Sequence, residues 1–281
     1  MNIDITPSGQ ACGASIRGVD LSGELSNELV SALREAWLKH HVISFPEQSL
    51  TEDQLERFSL AFGHFGEDTY IAPIPGRTHI IALRRRAQEK ARLFAENWHT
   101  DWSFQEKPPA ATCLYAITIP PVGGDTLFAN QHLALEKMPL RLRSRLEGRR
   151  AIHSARGGYA PSGTYGKADQ ASDRSMDIRP SSSAMKTQIH PLIRNHPETR
   201  EEGLFGCEGY IIGIEGMEDE EAQVLIHDLL EWQTQEQFIY RHKWQEGMLV
   251  MWDNRSVLHR ATGGYEGYER LLHRTTIAGP A

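Results

Sequence analysis

Cysteine is scarce in this chain. Its 281 residues hold three, Cys12, Cys113 and Cys207, widely spaced and without a Cys-x-x-Cys pair, which excludes a disulfide framework or a thiolate zinc site and leaves each as a small apolar side chain. Also missing is any apolar run near the roughly 18 residues that cross a bilayer. The N-terminus carries Asp4 and no basic stretch leading into a hydrophobic core, so no secretory signal is read there and a cytoplasmic protein is expected. Positive charge is not in surplus, with 30 Lys and Arg against 37 Asp and Glu and a net charge of −7. No broad electrostatic footprint for nucleic acid or an acidic membrane results, and an anionic ligand has to be met by a local basic cluster. A homo-oligomer is left open. The remaining composition, 40% hydrophobic and 24% charged, is that of a globular chain with a core of its own.

Periodicity divides the chain. A helix is expected from about Ser26, with Leu29, Leu33, Ala36 and Trp37 on one face, followed by a strand from His41 to Phe45 that Pro46 stops. Thr51 and Gln54 form a capping box for a second helix carrying Leu55, Phe58 and Phe62 up to Gly63. Short strands are then expected over His79 to Leu83, Asn97 to Ser103, Thr112 to Thr118 and Asp125 to Ala129, broken by Pro108-Pro109, Pro120-Pro121 and Gly123-Gly124. Ala222, Leu225, Ile226, Leu229 and Leu230 mark a helix over Asp219 to Gln235, and strands return over Met248 to Trp252, Val257 to Arg260 and Glu269 to Ile277. The pattern is mainly β with flanking helices, a sandwich or barrel in one domain spanning 1–281. Within it, Ser154 to Gln188 is poor in apolar residues and long for a connection, which marks it as a candidate lid.

Two histidines stand beside a carboxylate at usable spacing. His99-Thr100-Asp101, read as a strand, points imidazole and carboxylate to one face. His196-Pro197-Glu198 reads as a turn without a chemical role. A lone His-x-Asp is weak, and His259, in Trp-Asp-Asn-Arg-Ser-Val-Leu-His-Arg, supplies the candidate third ligand. Two His and one carboxylate suit the facial triad of a non-haem Fe(II) oxygenase, which keeps three positions open, and also suit zinc. Arg270, Leu272, Arg274 and Thr276 share one face of the last strand, and paired arginines near a metal ligand fit two-pronged carboxylate recognition. That favours iron over a zinc hydrolase or a non-catalytic sensor of an organic acid.

Together with Pro108-Pro109-Ala110, Gly123-Gly124-Asp125-Thr126-Leu127, His190-Pro191-Leu192, Trp252-Asp253-Asn254-Arg255 and the closing His273-Arg274-Thr275-Thr276, in this order, these motifs make the chain resemble the taurine and 2,4-dichlorophenoxyacetate dioxygenases (TauD/TfdA) over nearly its whole length. The resemblance implies a double-stranded β-helix, or jelly roll, and an oxidoreductase using Fe(II), 2-oxoglutarate and O2, in which a small anionic substrate is hydroxylated while 2-oxoglutarate becomes succinate and CO2. It implies His99, Asp101 and His259 as metal ligands and catalytic centre, Thr126 and Arg270 as holders of the distal 2-oxoglutarate carboxylate, and Arg274 as holder of a substrate carboxylate or sulfonate. The family's taurine enzymes have Asn where Ala95 stands and a substrate-contacting His near Tyr70, which counts against taurine itself and leaves Tyr70 on the substrate side. His153-Ser154-Ala155, Tyr165-Gly166, Tyr210 and Ile214-Glu215-Gly216-Met217 lie closer to the aryloxyalkanoate members, with Tyr210 a further substrate contact. Arg274, unlike Arg270, is expected to await its anion from the substrate.

Overall fold

The computed structural model describes residues 3–170 and 172–279. In chain order it holds β1 (Asp4–Pro7), β2 (Ala14–Arg17), α1 (Asn27–His40), β3 (Val42–Phe45), α2 (Glu52–Phe62), β4 (Ile81–Arg85), β5 (Ala111–Thr118) and β6 (Thr126–Asn130). Then come α3 (Gln131–Glu136), α4 (Leu140–Leu146), β7 (Arg150–Ser154), α5 (Arg156–Tyr159), α6 (Lys167–Gln170), β8 (Thr187–Pro191), β9 (Ile193–Asn195), β10 (Glu202–Leu204) and β11 (Ile211–Ile214). The chain closes with α7 (Asp219–Gln233), β12 (Ile239–His242), β13 (Leu249–Asp253), β14 (Val257–Ala261) and β15 (Arg270–Ile277).

The helices form where local signals and burial agree. Ser26 caps α1 through its side chain, Leu29, Leu33, Ala36 and Trp37 are its buried face, and the chain leaves it through His41 at φ 63°. The Thr51–Gln54 capping box is present at the start of α2. Both helices cover one face of a seven-stranded sheet ordered β1-β2-β3-β13-β5-β15-β4. In β13, buried along its whole length, Leu249 and Met251 point to those helices, while Val250 and Trp252 point the other way, into a second core shared with Phe128 of β6, Tyr240 of β12 and Val257 of β14. This period of two is why the strand reads as one continuous apolar run. The opposing sheet, β12-β6-β14, closes the sandwich, and a third, β11-β7-β8, packs with α3 and α7 around a separate cluster. The architecture is a jelly roll, mainly β with flanking helices.

Three expectations are corrected. Asn97 to Ser103 is not a strand: a single bridge joins His99 to His259, and the chain then turns over 101–104 with Trp102 at φ 47°. The strand placed at His79 to Leu83 lies two residues later, where Ile81, Leu83 and Arg85 pair with β15. His196 sits in a turn but has a structural role, for it is buried, its Nε2 donates to Asp253 Oδ2 at 3.0 Å, and its Nδ1 accepts from the Glu198 and Thr199 amides. The stretch Ser154 to Gln188, with position 171 outside the described residues, also holds more structure than its composition suggests, with Tyr159, Met176, Ile178 and Ala184 in a buried cluster.

Asp253 is the most fully satisfied charge in the molecule. Its carboxylate accepts from the Arg255 amide and Nε at 2.8 Å each, from Arg255 Nη2 at 2.7 Å and from His196, which ties the β13–β14 turn to the 196–201 turn. Burial opposes its ionisation, yet Arg255 and His196 outweigh that and hold it well below the usual carboxylate range. A depressed carboxylate stabilises the fold fully above its unfolded pKa of about 4 and loses that contribution as pH falls through the folded value. Asp253→Asn is therefore expected to cost about 3–5 kcal/mol at neutral pH, as when one partner of a buried pair is removed, and to flatten the fall in Tm below about pH 4. Thermal melts across that range check it; an unchanged acid slope would assign acid unfolding to other carboxylates.

Candidate active site

The two candidate imidazoles meet because their backbones pair. His99 N–H donates to His259 O at 3.0 Å and His259 N–H to His99 O at 2.8 Å, so the residues lie directly opposite and project to one face. Their ring centroids are 4.2 Å apart. The turn at Trp102, with Thr100 Oγ1 donating to Asn254 O at 2.7 Å, folds Asp101 back onto them. Asp101 Oδ1 then lies 3.7 Å from both His99 Nε2 and His259 Nε2.

The donor set fits a metal ion. His99 Nδ1 sits 2.9 Å from Asn97 O; since a carbonyl only accepts, Nδ1 carries the proton and Nε2 offers its lone pair. His259 is held instead by packing between Trp252 and Phe128, and its Nδ1 is buried without a partner. Burial depresses both imidazoles, His259 to about 3, with His99 adding to that shift, so both are neutral ligands at pH 7. Burial works against the Asp101 carboxylate, but His259, Arg274, His99 and the Thr112 hydrogen bond hold it below its usual range. Thr112 Oγ1 donates to Asp101 Oδ2 at 2.6 Å and accepts from Asn254 Nδ2, whose Oδ1 accepts from Trp252 Nε1. That chain fixes one carboxylate oxygen and leaves Oδ1 turned to the imidazoles. The three candidate ligand atoms lie within 4.8 Å of one another. Neither Thr112 nor Asn254 was singled out from the sequence for this role; Trp252-Asp253-Asn254-Arg255 was the signal.

On β15 the inner face presents Arg270, Leu272, Arg274 and Thr276. Arg270 is buried, 8% exposed; its Nη2 donates to Gly124 O at 3.3 Å, its Nε has no partner, and the nearby Asp125 is engaged by Arg241 at 3.0 Å. Burial lowers its affinity for the proton, with Tyr265 and Asp125 countering only in part. Thr126 faces the same cavity, and its Oγ1 accepts from Trp244 Nε1 at 3.0 Å, which leaves the hydroxyl proton for a ligand. The loop behind them is tight: Gly123 has φ 67°, and a Cβ there would come within 2.5 Å of Gly264 O, so only glycine lets the two loops touch.

Arg274 departs from expectation. Its Nη2 pairs with Asp68, and Nη1 lies 3.7 Å from Asp101 Oδ1, so this guanidinium already has an anion supplied by the chain. Nothing in the sequence around Asp68 signals this. Tyr210 lies edge-on to His99 at 6.2 Å and lines an outer chamber of about 550 Å³ with Tyr159, Tyr165 and Phe94. Tyr70 is corrected: it stacks behind Tyr159 at 4.9 Å with its hydroxyl near Ser183 Oγ, and lines neither this chamber nor the inner cavity. His99, Ala95 and Phe94 line both spaces, so the outer chamber adjoins the cavity that holds the three candidate ligands.

Two imidazoles and one carboxylate on a β scaffold, next to an open chamber, form a donor set that could hold one metal ion with positions left free for ligands. The chain belongs to the taurine catabolism dioxygenase TauD, TfdA family, whose model matches residues 4–276. It is 32% identical over 291 residues to the alpha-ketoglutarate-dependent 2,4-dichlorophenoxyacetate dioxygenase of Cupriavidus pinatubonensis, covering 98% of both chains. It is 32% identical to the alkylsulfatase of Acinetobacter baylyi, over 95% of this chain and 82% of that protein. A crystal structure of a putative alpha-ketoglutarate-dependent taurine dioxygenase from Burkholderia xenovorans superposes with a TM-score of 0.81 at 33% identity, over 99% of this chain and 93% of that one. By family the protein is an enzyme, a dioxygenase dependent on α-ketoglutarate, that is 2-oxoglutarate.

His99→Ala, Asp101→Ala and His259→Ala are each expected to abolish tight binding of a divalent ion, since three ligands leave no redundancy. Thr112→Val, which removes the bond that orients Asp101 together with the acceptor of Asn254 Nδ2, is expected to weaken it by roughly 10- to 100-fold. Competition with a chromophoric chelator measures both, and near-native affinity in any of the three alanine variants would overturn the triad.

Proposed function

We propose that the protein binds iron(II) at His99, Asp101 and His259, binds 2-oxoglutarate against Arg270 and Thr126, and hydroxylates a small organic acid. The observation that carries this is Arg270, a buried guanidinium without a carboxylate partner among the described residues, in the same cavity as the triad. A buried cation is costly unless a ligand pairs it, and a dicarboxylate reaching from the triad to Arg270 meets that need.

When bound, iron and 2-oxoglutarate supply the oxidising equivalent from O2, with succinate and CO2 released. The chain's own part is placement. The Nε2 atoms of His99 and His259 and Oδ1 of Asp101 hold one face, Arg270 and the Thr126 hydroxyl grip the distal carboxylate, and Leu114 and Trp252 wall the inner cavity and keep water out. Substrate enters from the outer chamber, whose Tyr159, Tyr165, Tyr210 and Phe94 offer flat apolar walls with hydroxyls that burial keeps protonated. These walls suit an aryl or alkyl group carrying an acid, as do relatives named for 2,4-dichlorophenoxyacetate and sulfate esters, and Arg274 is the cation that receives the acid group. We assign the cover of this chamber to the 154–188 segment, which contributes Gly157, Thr164 and Tyr165 to the outer wall and Arg174 and Met176 to the inner one. It is held to the 89–91 loop by polar contacts, Asp173 to the Lys90 and Ala91 amides and Ser175 to Glu89, while Met176 and Ile178 anchor it in the buried cluster, so movement is expected in the polar part before Met176. Three unpaired, buried thiols fit a reducing compartment.

Anaerobic addition of Fe(II) and 2-oxoglutarate is expected to give a weak visible charge-transfer band, and a screen of carboxylates, sulfonates and sulfate esters is expected to find acids that stimulate succinate formation. Arg270→Ala should weaken 2-oxoglutarate by roughly 30-fold to several thousand-fold, the effect of about 2–5 kcal/mol for one partner of a desolvated pair. Unchanged affinity in a titration of that band would remove Arg270 from the site. Proteolysis within 154–188 is expected to slow when iron, 2-oxoglutarate and substrate are all present; equal cleavage with and without them would end the assignment as a cover.

A further inference from the structure

Asp68 is placed where a ligand's acid group is expected. Besides Arg274 Nη2, its Oδ1 accepts from Trp102 Nε1 at 3.0 Å and its Oδ2 from Thr276 Oγ1 at 3.2 Å. The pair is well shielded, with the Arg274 side chain 4% exposed and that of Asp68 10%. With Asp101 on its other side, Arg274 stands between two carboxylates and has no positive charge in surplus. Yet it is incompletely bonded, because its Nε is buried with no acceptor. A guanidinium neutralised from within, with Nε and Nη1 not hydrogen-bonded among the described residues, is neither an inert structural ion pair like Asp253–Arg255 nor a vacant anion site.

We propose that Asp68 is a specificity-determining residue, an internal carboxylate that occupies the anion site of Arg274, so that an acid group of the substrate reaches this guanidinium only in exchange for Asp68. The proposal rests on the reading above that the substrate is an acid. In the exchange one anion replaces another on the same cation, and Asp68 keeps its bonds to Trp102 and Thr276 but gives up its cation, a cost that only a full negative charge on the incoming group offsets. The spare Nε lets an incoming carboxylate or sulfonate bind through two donors where Asp68 engages one. An amide, ester or ether oxygen, a weaker acceptor than a carboxylate, does not displace Asp68. Asp68 thereby rejects neutral isosteres more strongly than a free arginine would.

The test uses the metal-free protein without 2-oxoglutarate, so no turnover enters. Methanesulfonate is titrated by calorimetry into the native protein, Asp68→Asn and Asp68→Asn/Arg274→Met, with Asp68→Ser as a second variant should the first fold poorly and thermal melts as the control for folding. Asp68→Asn is expected to bind methanesulfonate on the order of 10- to 100-fold more tightly than the native chain, the scale of a hydrogen bond to a charged group, and the double variant is expected to lose that gain. Equal or weaker binding by folded Asp68→Asn and Asp68→Ser, or a gain that survives the loss of Arg274, overturns the proposal. If no acid stimulates succinate formation while Asp68→Asn still gains methanesulfonate, the substrate reading fails and the role of Asp68 stands. If acids are turned over but neither Asp68 variant gains, the role of Asp68 fails alone.

Discussion

The site depends on one short pairing, the two backbone hydrogen bonds exchanged by His99 and His259. Side chains from distant parts of the chain converge reliably only when the backbones beneath them are in register, and a hydrogen-bonded antiparallel pair provides that at the smallest scale, one residue from each segment. With β14 paired to β6 and the His259 ring packed against Trp252 and Phe128, His259 is held in place, and His99 inherits its position. Asp101 is then brought in by a break in regularity. In a continued strand its Cα would lie about 7 Å beyond that of His99; instead Thr100 is tied to Asn254 O and the chain turns over 101–104, with the left-handed Trp102 just after Asp101. The carboxylate is aimed by Thr112 and Asn254, groups contributed by β5 and the β13–β14 turn.

Buried charge is treated in three ways in this molecule, and the contrast separates structure from chemistry. Asp253 has every oxygen bonded and its cation locked between two acids, which joins two turns and leaves nothing for a ligand. Arg270 has a carbonyl and an aromatic ring beside it but, among the described residues, no carboxylate bonded to it, the nearby Asp125 being paired with Arg241. Arg274 falls between these, neutralised yet with a donor unused. A fold gains nothing by leaving a buried cation unpaired, so a graded series of this kind across a few residues marks the groups whose partners arrive from outside.

What could be read from the amino-acid sequence follows from the reach of the forces involved. Helices α1, α2 and α7 were legible because their caps and apolar faces are local, and β13, β14 and β15 because their alternation is confined to a few residues. The three metal-ligand candidates were legible by residue type and spacing, although the strand geometry invoked for His99 and Asp101 does not occur: both residues reach one face through a bridge and a turn that only β14 makes possible. His196 shows the same limit. Pro197 correctly signals a turn, but the Asp253 that gives the histidine its role is distant in sequence. The 154–188 segment looked unstructured because its few apolar side chains were averaged with many polar ones, when nearly all of the few point inward. Asp68 carries no local pattern at all, and its meaning lies entirely in the arginine it faces.

The contact between Gly123 and Gly264 has a consequence for how this protein can vary. The two loops lead directly into Thr126 on one side and Arg270 on the other, and they touch through backbone with no side chain between them. A side chain at Gly123 would push the two loops apart, whereas at Gly264 there is room for a Cβ and it is the φ of 85° that favours glycine. This seam is therefore restricted at both positions, for two different reasons, while the aromatic outer chamber is built from side chains on separate loops that can change one position at a time. On the proposed assignment of Thr126 and Arg270 to the cosubstrate, a lineage of such proteins can exchange substrates through the chamber wall while that grip stays the same.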